Sequence, residues 1–131
     1  MRGRVLDVAA LVDVATGRTH YTRALVATAL DQVIPLAVPS TALTLAWSQV
    51  PAQGRLTLAA LVEQSITLSF PLDDRAAAPV GELLERSPFG PPDLVAAHVA
   101  VIAGNRGWPV VTDRGPQLRA LVPSLGFESL P

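Results

Sequence analysis

The sequence predicts a three-layer α/β fold, in which a mostly parallel sheet of about five strands lies between helices. Two apolar runs rich in β-branched residues, 4–7 and 108–113, each end in an acid, and such runs are typical of buried parallel strands. Strand-like and helix-like segments alternate along the chain, which favours parallel pairing with helices on both faces. At 131 residues the chain has a common domain size, so we expect one domain over residues 1–131.

Five short segments are predicted to form the strands. The first and the fourth are apolar and β-branched, whereas the third alternates apolar with small polar residues and stops before Pro71. In chain order the predicted strands cover residues 5–8, 36–38, 66–70, 110–112 and 126–130.

The segments between these strands are predicted to be helical. Proline suits the first position of a helix, so one helix is expected to begin at Pro39. The segment 93–103 is so strongly apolar that we expect burial on most of its sides. The predicted helices are 20–32, 39–50, 55–64, 75–86, 93–103 and 116–122, with an apolar segment at 9–14 and a stiff connector at 88–92. The apolar face expected for 20–32 consists of Ala24, Leu25, Ala27, Thr28 and Leu30.

Composition excludes several kinds of chemistry. The chain has no cysteine, and all ten of its basic residues are arginine, so thiol nucleophiles, thiolate zinc sites and lysine-dependent phosphate loops are ruled out. A net charge of −1 argues against a generally basic nucleic-acid binder. The uncharged stretch 32–54 is interrupted by prolines, unlike a membrane-spanning helix, and no secretory signal is visible, so a cytoplasmic protein without membrane contact is expected.

Two aspartates stand where strand ends are expected to meet. Asp7 follows the first predicted strand and Asp113 follows the fourth. Ligands of open α/β sheets bind beyond the carboxyl ends of the strands, so both carboxylates are expected in one crevice that would suit a hydrated divalent cation. Two carboxylates alone form a weak metal site, so further acids would be needed.

Four segments of the chain resemble PIN-domain proteins, the family that includes the VapC-like toxin ribonucleases. The C-terminal signature of that family is similar to AHVAVIA at 97–103 followed by GWPVVTD at 107–113. Its opening strand resembles RVLDVAAL at 4–11, and the start of its central helix resembles LAVP at 36–39. The order and spacing of the matches extend over nearly the whole chain and imply a PIN-like fold.

The resemblance implies a cluster of about four acids that binds Mg²⁺ or Mn²⁺ and activates water against a phosphodiester. Asp7 matches the first acid. Leu45 and Ala96 stand where the second and third acids are expected, and Asp93 lies three residues before Ala96. Arg114 stands in the place of the fourth acid, with Asp113 one residue early. Arg114 would bring positive charge to the site and oppose cation binding.

Several of these residues also have plain structural interpretations. Asp93 is expected to be an N-cap, His98 a buried core or interface histidine, and His20 a surface residue. Both tryptophans, Trp47 and Trp108, are expected to pack in the core. The arginines around the final strand are expected to form a solvated face, or a small basic rim for phosphate in which Thr112 and Arg114 are the candidate nucleic-acid contacts. The arginines around the final strand are Arg106, Arg114 and Arg119.

Three hypotheses for function follow. The first is a degenerate PIN-like protein that needs no metal and acts by binding a partner or a nucleic acid; the resemblance implies a homodimer and a small antitoxin-like partner. The second is an active Mg²⁺- or Mn²⁺-dependent endoribonuclease of a toxin–antitoxin pair, which would cleave RNA with Asp7, Asp113 and a displaced Asp93. The third is an unrelated α/β protein, which a different strand order would reveal.

Overall fold

The computed structural model describes residues 2–87 and 93–131, and the connector predicted at 88–92 lies outside the described residues. Five strands were found in these ranges: β1 Arg4–Leu6, β2 Leu36–Pro39, β3 Thr67–Phe70, β4 Val110–Thr112 and β5 Phe127–Ser129. The helices of the same ranges are α1 Val8–Thr16, α2 Tyr21–Gln32, α3 Ser40–Gln49, α4 Ala52–Glu63, α5 Asp74–Glu85, α6 Leu94–Arg106 and α7 Gly115–Leu121.

The strands form one sheet in the order β3-β2-β1-β4-β5, and every pair is parallel. The chain builds outward from β1 to β3 and then returns to add β4 and β5 on the other side of β1. In an open α/β sheet, such a reversal of strand order leaves a crevice at the carboxyl ends of the two adjacent strands, here β1 and β4. The predicted α/β fold with a parallel sheet is confirmed.

The helices pack in two groups that share the hydrophobic core. Helix α1 contacts α2, α3 and α4, and α6 contacts α5 and α7, while α3 also touches α6. Helix α6 is buried from Ala96 to Ala100 and again at Ile102 and Ala103, as its apolar sequence predicts. Because α6 also contacts β1 and β2, it holds the centre of the sheet in place.

Some element boundaries differ from the prediction, and each difference has a local cause. The first strand ends at Leu6 rather than at residue 8, because Asp7 adopts the N-cap conformation and starts α1. Helix α4 begins directly after Pro51, three residues earlier than expected. Helix α6 continues to Arg106, where Gly107 ends it with a φ of 66°, a left-handed conformation that glycine adopts without strain.

Two predicted burial patterns are wrong. On α2 the buried residues are Thr22 and Ala29, while Leu30 remains 43% exposed, because α2 packs chiefly against α1 and the Thr22 hydroxyl turns inward to a buried aspartate. Trp47 is not a core residue, because the small Ala46 beside it takes the inward position on α3. Trp47 is 39% exposed, and the centre of its ring lies 5.9 Å from the Arg55 guanidinium.

Within residues 2–87 and 93–131, none of the helices combines the length and the apolar character needed to cross a membrane.

Candidate functional site

A cleft of about 530 Å³ opens at the carboxyl ends of β1 and β4. Asp7, Asp93 and Asp113 all line it, together with Arg114 and Leu45. The parallel pairing of β1 with β4 brings the ends of these strands together, so residues more than a hundred positions apart in sequence share one surface. The structure therefore collects the sequence-predicted aspartates in one place.

Asp7 is fully buried and is held by its surroundings on every side. Its backbone amide donates to the carbonyl of Val111 at 3.1 Å, which fixes the start of α1 against β4. Oδ1 caps α1 by accepting the backbone N–H of Val8 at 2.8 Å. Oδ2 accepts the hydroxyl of Thr112 at 2.7 Å. The carboxylate is thus already anchored to two elements before any ligand is considered.

Arg114 completes the environment of Asp7 with two parallel hydrogen bonds. Its Nε donates to Oδ2 at 2.8 Å and its Nη2 donates to Oδ1 at 2.9 Å. Each oxygen of Asp7 therefore accepts two hydrogen bonds, one from Arg114 and one from either Val8 or Thr112. A carboxylate offers about four lone-pair positions, so these four donors fill the acceptor capacity of Asp7.

The same guanidinium bridges to the start of α6. Arg114 Nη1 donates to Asp93 Oδ2 at 2.5 Å, while Asp93 Oδ1 accepts the backbone N–H of Ala96 at 2.9 Å. Asp93 is therefore the N-cap that the sequence predicts, and its side chain reaches the cleft from the start of α6. Its side chain is 52% exposed, in contrast to the buried Asp7.

Arg114 lies in the cleft, as the resemblance implies, and is not part of a solvated face. Its side chain is only 23% exposed and its backbone N–H donates to the Thr112 hydroxyl at 3.0 Å, so the residue is turned into the cleft. Burial lowers the pKa of Arg114, but the hydrogen bonds and charge of Asp7 and the charge of Asp93 outweigh burial and raise that pKa above its ordinary value. Arg114 therefore stays positively charged. Arg106 and Arg119 are exposed, as predicted.

Asp113 lies at the rim of the cleft and is exposed. No described residue makes a hydrogen bond or an ion pair to its carboxylate, so Asp113 is free to bind a ligand. Its predicted part in metal binding or catalysis stays a prediction, as do the phosphate contacts predicted for Thr112 and Arg114. In the structure the Thr112 hydroxyl is fully buried and donates to Asp7.

The two positions where the resemblance implies further acids are apolar in this cleft. Leu45 on α3 lines the cleft and is 42% exposed, and Ala96 is buried in the first turn of α6. Across the described parts of the chain, no group of three or more histidine, aspartate or glutamate side chains is placed to hold a metal ion. Because Asp7 is saturated and a cation already lies against it, the residues present do not fit a divalent metal site.

Sequence reasoning missed a second buried acid in this cleft. Asp13 on α1 accepts hydrogen bonds from the Thr19 backbone and hydroxyl, both at 2.7 Å, and from the Thr22 hydroxyl. Burial raises the pKa of Asp13, but the hydrogen bonds from Thr22 and Thr19 prevail, so the pKa lies below its usual value. The signal in the sequence is an acid inside an apolar segment followed by three threonines within nine residues, two of which, Thr19 and Thr22, donate to it.

The two histidines take no part in the cleft. His98 is buried on α6, and its Nδ1 lies 2.7 Å from the Thr41 hydroxyl on α3, which satisfies the ring in the core as predicted. His20 is exposed at the start of α2. Trp108 is half-buried against the core, with the Arg106 guanidinium 5.3 Å from its ring.

Comparison with known proteins finds similarity in structure rather than in sequence. No protein-family model matches the chain, and no curated protein matches it either. The fold is similar to that of a chain in the crystal structure of VapBC2 from Rickettsia felis bound to a DNA fragment from their promoter. The TM-score is 0.68 at 18% identity, over 98% of this chain and 98% of that one. At this identity the similarity shows the fold alone, and the chain has the PIN-like fold that its sequence predicts.

Proposed function

We propose that this chain is a PIN-like protein with a degenerate nuclease site, which acts by binding a partner rather than by cleaving RNA. The observation that carries the proposal is the saturation of Asp7, whose two oxygens accept four hydrogen bonds within the protein. A metal-dependent nuclease needs free carboxylate oxygens to hold its cation. The apolar side chains at Leu45 and Ala96, where the resemblance implies acids, support the same proposal.

The cleft favours a protein partner over a nucleic acid. Its acids outnumber its arginines by four to two among the described residues, which opposes the approach of phosphate groups. The acids are Asp7, Asp13, Asp93 and Asp113, and the arginines are Arg18 and Arg114. Apolar side chains of α1 and α3, among them Val12 and Leu45, supply surface that a peptide segment can cover. We propose a small antitoxin-like protein as this partner, in keeping with the resemblance, and a homodimer of the chain itself.

RNA cleavage by the purified protein tests the loss of activity. We expect no cleavage of a mixed RNA substrate in Mg²⁺ or Mn²⁺, and no difference between the wild type and Asp7→Asn. Metal-dependent cleavage that disappears in the folded Asp7→Asn variant would overturn the proposal.

Partner binding is tested with two leucine variants. Leu45→Asp places a charge on the wall of the cleft, whereas Leu56→Asp changes a leucine of α4 that is 65% exposed and does not line the cleft. A small protein that co-purifies with the wild type from its own cells should be lost from Leu45→Asp and retained by Leu56→Asp. Equal retention by both variants would place the partner elsewhere on the surface.

The alternative function is an active Mg²⁺- or Mn²⁺-dependent endoribonuclease. The observation in its favour is that Asp7, Asp93 and Asp113 line the same cleft. In that case Arg114 would have to move away from Asp7 during the reaction, and the Asp7→Asn comparison above distinguishes the two functions.

A further inference from the structure

We propose that Arg114 is an internal counter-ion and that it is the residue which excludes divalent cations from this cleft. This inference deepens the proposed function, since it names the group responsible for the degenerate site. The fold resembles that of metal-dependent nucleases, yet in this chain a guanidinium lies against Asp7, the residue that matches the first metal-binding acid.

The geometry gives Arg114 two carboxylates at once. Three of its nitrogens donate, two of them to Asp7 and the third to Asp93, at 2.5–2.9 Å. Bidentate pairing of this kind matches the planar guanidinium and is stronger than a hydrogen bond between neutral groups. Any cation that approached Asp7 would have to break these bonds and would meet the positive charge of Arg114, which its raised pKa keeps in place.

Backbone contacts around Arg114 position this residue next to Asp7. The Arg114 amide is tied to the Thr112 hydroxyl, which also donates to Asp7. Gly115 follows directly and is buried; a Cβ at this position would lie 2.2 Å from the Phe127 ring of β5. The close approach between Gly115 and Phe127 fixes the start of α7 against the sheet, so the backbone that carries the Arg114 side chain is held next to Asp7.

Removal of Arg114 should therefore release a response to metal that the wild type lacks. Arg114→Gln removes two of the four hydrogen bonds to Asp7 and the ion pair of Asp93, and Asp113 has no partner among the described residues of the same cleft. The matched control is Arg18→Gln, since Arg18 lines the cleft and forms no ion pair with any described residue. Arg18→Gln removes the same charge from the cleft but leaves the Asp7–Arg114 pair intact.

Thermal unfolding with and without Mn²⁺ measures this response. We expect saturating Mn²⁺ to raise the Tm of Arg114→Gln by roughly 5 °C, with no rise for the wild type or Arg18→Gln. The rise should vanish in the double variant Asp7→Asn with Arg114→Gln. The inference is overturned if Arg114→Gln is folded and ignores Mn²⁺, if the wild type responds equally, or if Arg18→Gln gains the same rise.

A measurement on the wild type keeps the inference testable if Arg114→Gln does not fold. The Arg114 Nε–H should give a persistent NMR signal that Mg²⁺ neither shifts nor broadens, and a saturable shift would contradict the inference.

Failure of this inference is separate from failure of the proposed function. An Arg114→Gln variant without a metal response overturns the inference but leaves the degenerate site explained by the apolar Leu45 and Ala96, whereas RNA cleavage by the wild type without added metal would overturn the function alone.

Discussion

Arg114 and Asp7 lie 107 residues apart in sequence and form two hydrogen bonds of 2.8 and 2.9 Å across the ends of β4 and β1. The Asp7 side chain is completely buried, whereas that of Arg114 is 23% exposed. Removing one partner from a buried ion pair leaves an uncompensated charge behind, which costs more than the pair itself contributes. The pair therefore affects stability as well as ligand binding.

Asp7→Asn should lower the free energy of unfolding by about 2–3 kcal/mol, less than for a pair shielded completely from water. The amide keeps one oxygen for the N–H of Val8 but presents donors where Thr112 and Arg114 also donate. Urea unfolding measures the loss. The control Asp113→Asn changes an exposed carboxylate without a partner among the described residues and should stay within about 0.5 kcal/mol. Equal losses in the two variants would contradict the burial and pairing of Asp7.

Asp93 combines an N-cap with an exposed ion pair, and two substitutions separate these contributions. Asparagine can still accept the N–H of Ala96, so Asp93→Asn should change the free energy of unfolding by no more than about 0.5 kcal/mol. Asp93→Ala loses the cap and should cost about 1 kcal/mol. Urea unfolding of both variants checks this difference, and a large loss in Asp93→Asn would mean that the pair with Arg114 dominates instead.

The fold could be predicted from the sequence because each strand and helix is encoded by residues that are close together in the chain. Alternating segments, the acid after each apolar strand and the uniform apolarity of 93–103 all reflect burial between sheet and helices, and the structure has these elements within a few residues of the prediction. The meeting of Asp7 and Asp113 on one cleft also follows from topology, since parallel strands bring their carboxyl ends to one edge.

The resemblance places Arg114 at the site, but the pairing of Arg114 with Asp7 could not be predicted from local patterns. An arginine after a strand faces solvent unless a buried carboxylate draws it in, and that carboxylate comes from a strand at the other end of the chain. The predicted burial of Trp47 and of the apolar face of α2 is wrong for a related reason. A helix that packs on only part of its surface leaves some apolar residues exposed to solvent. Neighbouring elements, rather than the helix's own sequence, decide which residues these are.

Thr22→Val should lower the free energy of unfolding at neutral pH by about 2 kcal/mol, because it removes a hydrogen bond to the buried, charged Asp13. The pKa of Asp13 is lowered in the folded state, so its contribution is complete above the usual value of 3.8 and is lost as the pH falls through the folded pKa. The difference between wild type and variant should therefore shrink below about pH 3.8.

Unfolding curves in urea across an acidic pH series provide this measurement. Thr28→Val is the control, since Thr28 lies on the exposed side of the same helix and should show little change at any pH. A Thr22→Val deficit that stays constant down to the lowest pH would show that the hydrogen bond does not depend on the charge of Asp13.

His98 should make the protein less stable in mild acid. Burial lowers the pKa of His98, and the charge of Asp73 opposes this with a smaller effect. The folded state thus favours the neutral ring. The contribution of His98 to stability is therefore fully present above the usual histidine pKa of 6.5 and is lost as the pH falls below that value toward the folded pKa. His98→Asn, which retains a polar atom for Thr41, should remove this decline. Chemical unfolding between about pH 7.5 and 5 measures it, with the exposed His20→Gln as a control that should keep the decline.

Val33 ends α2 in a left-handed conformation, with a φ of 56° and a ψ of 52°. A β-branched residue is strained there by about 1–2 kcal/mol, whereas asparagine tolerates this region. The Val33 side chain is 71% exposed, so little burial is lost on substitution. Val33→Asn should therefore raise the free energy of unfolding by about 1 kcal/mol in urea, while Thr28→Asn, within the same helix, should give no gain. A gain in both variants, or a loss in Val33→Asn, would show that the C-terminus of α2 is not strained at Val33.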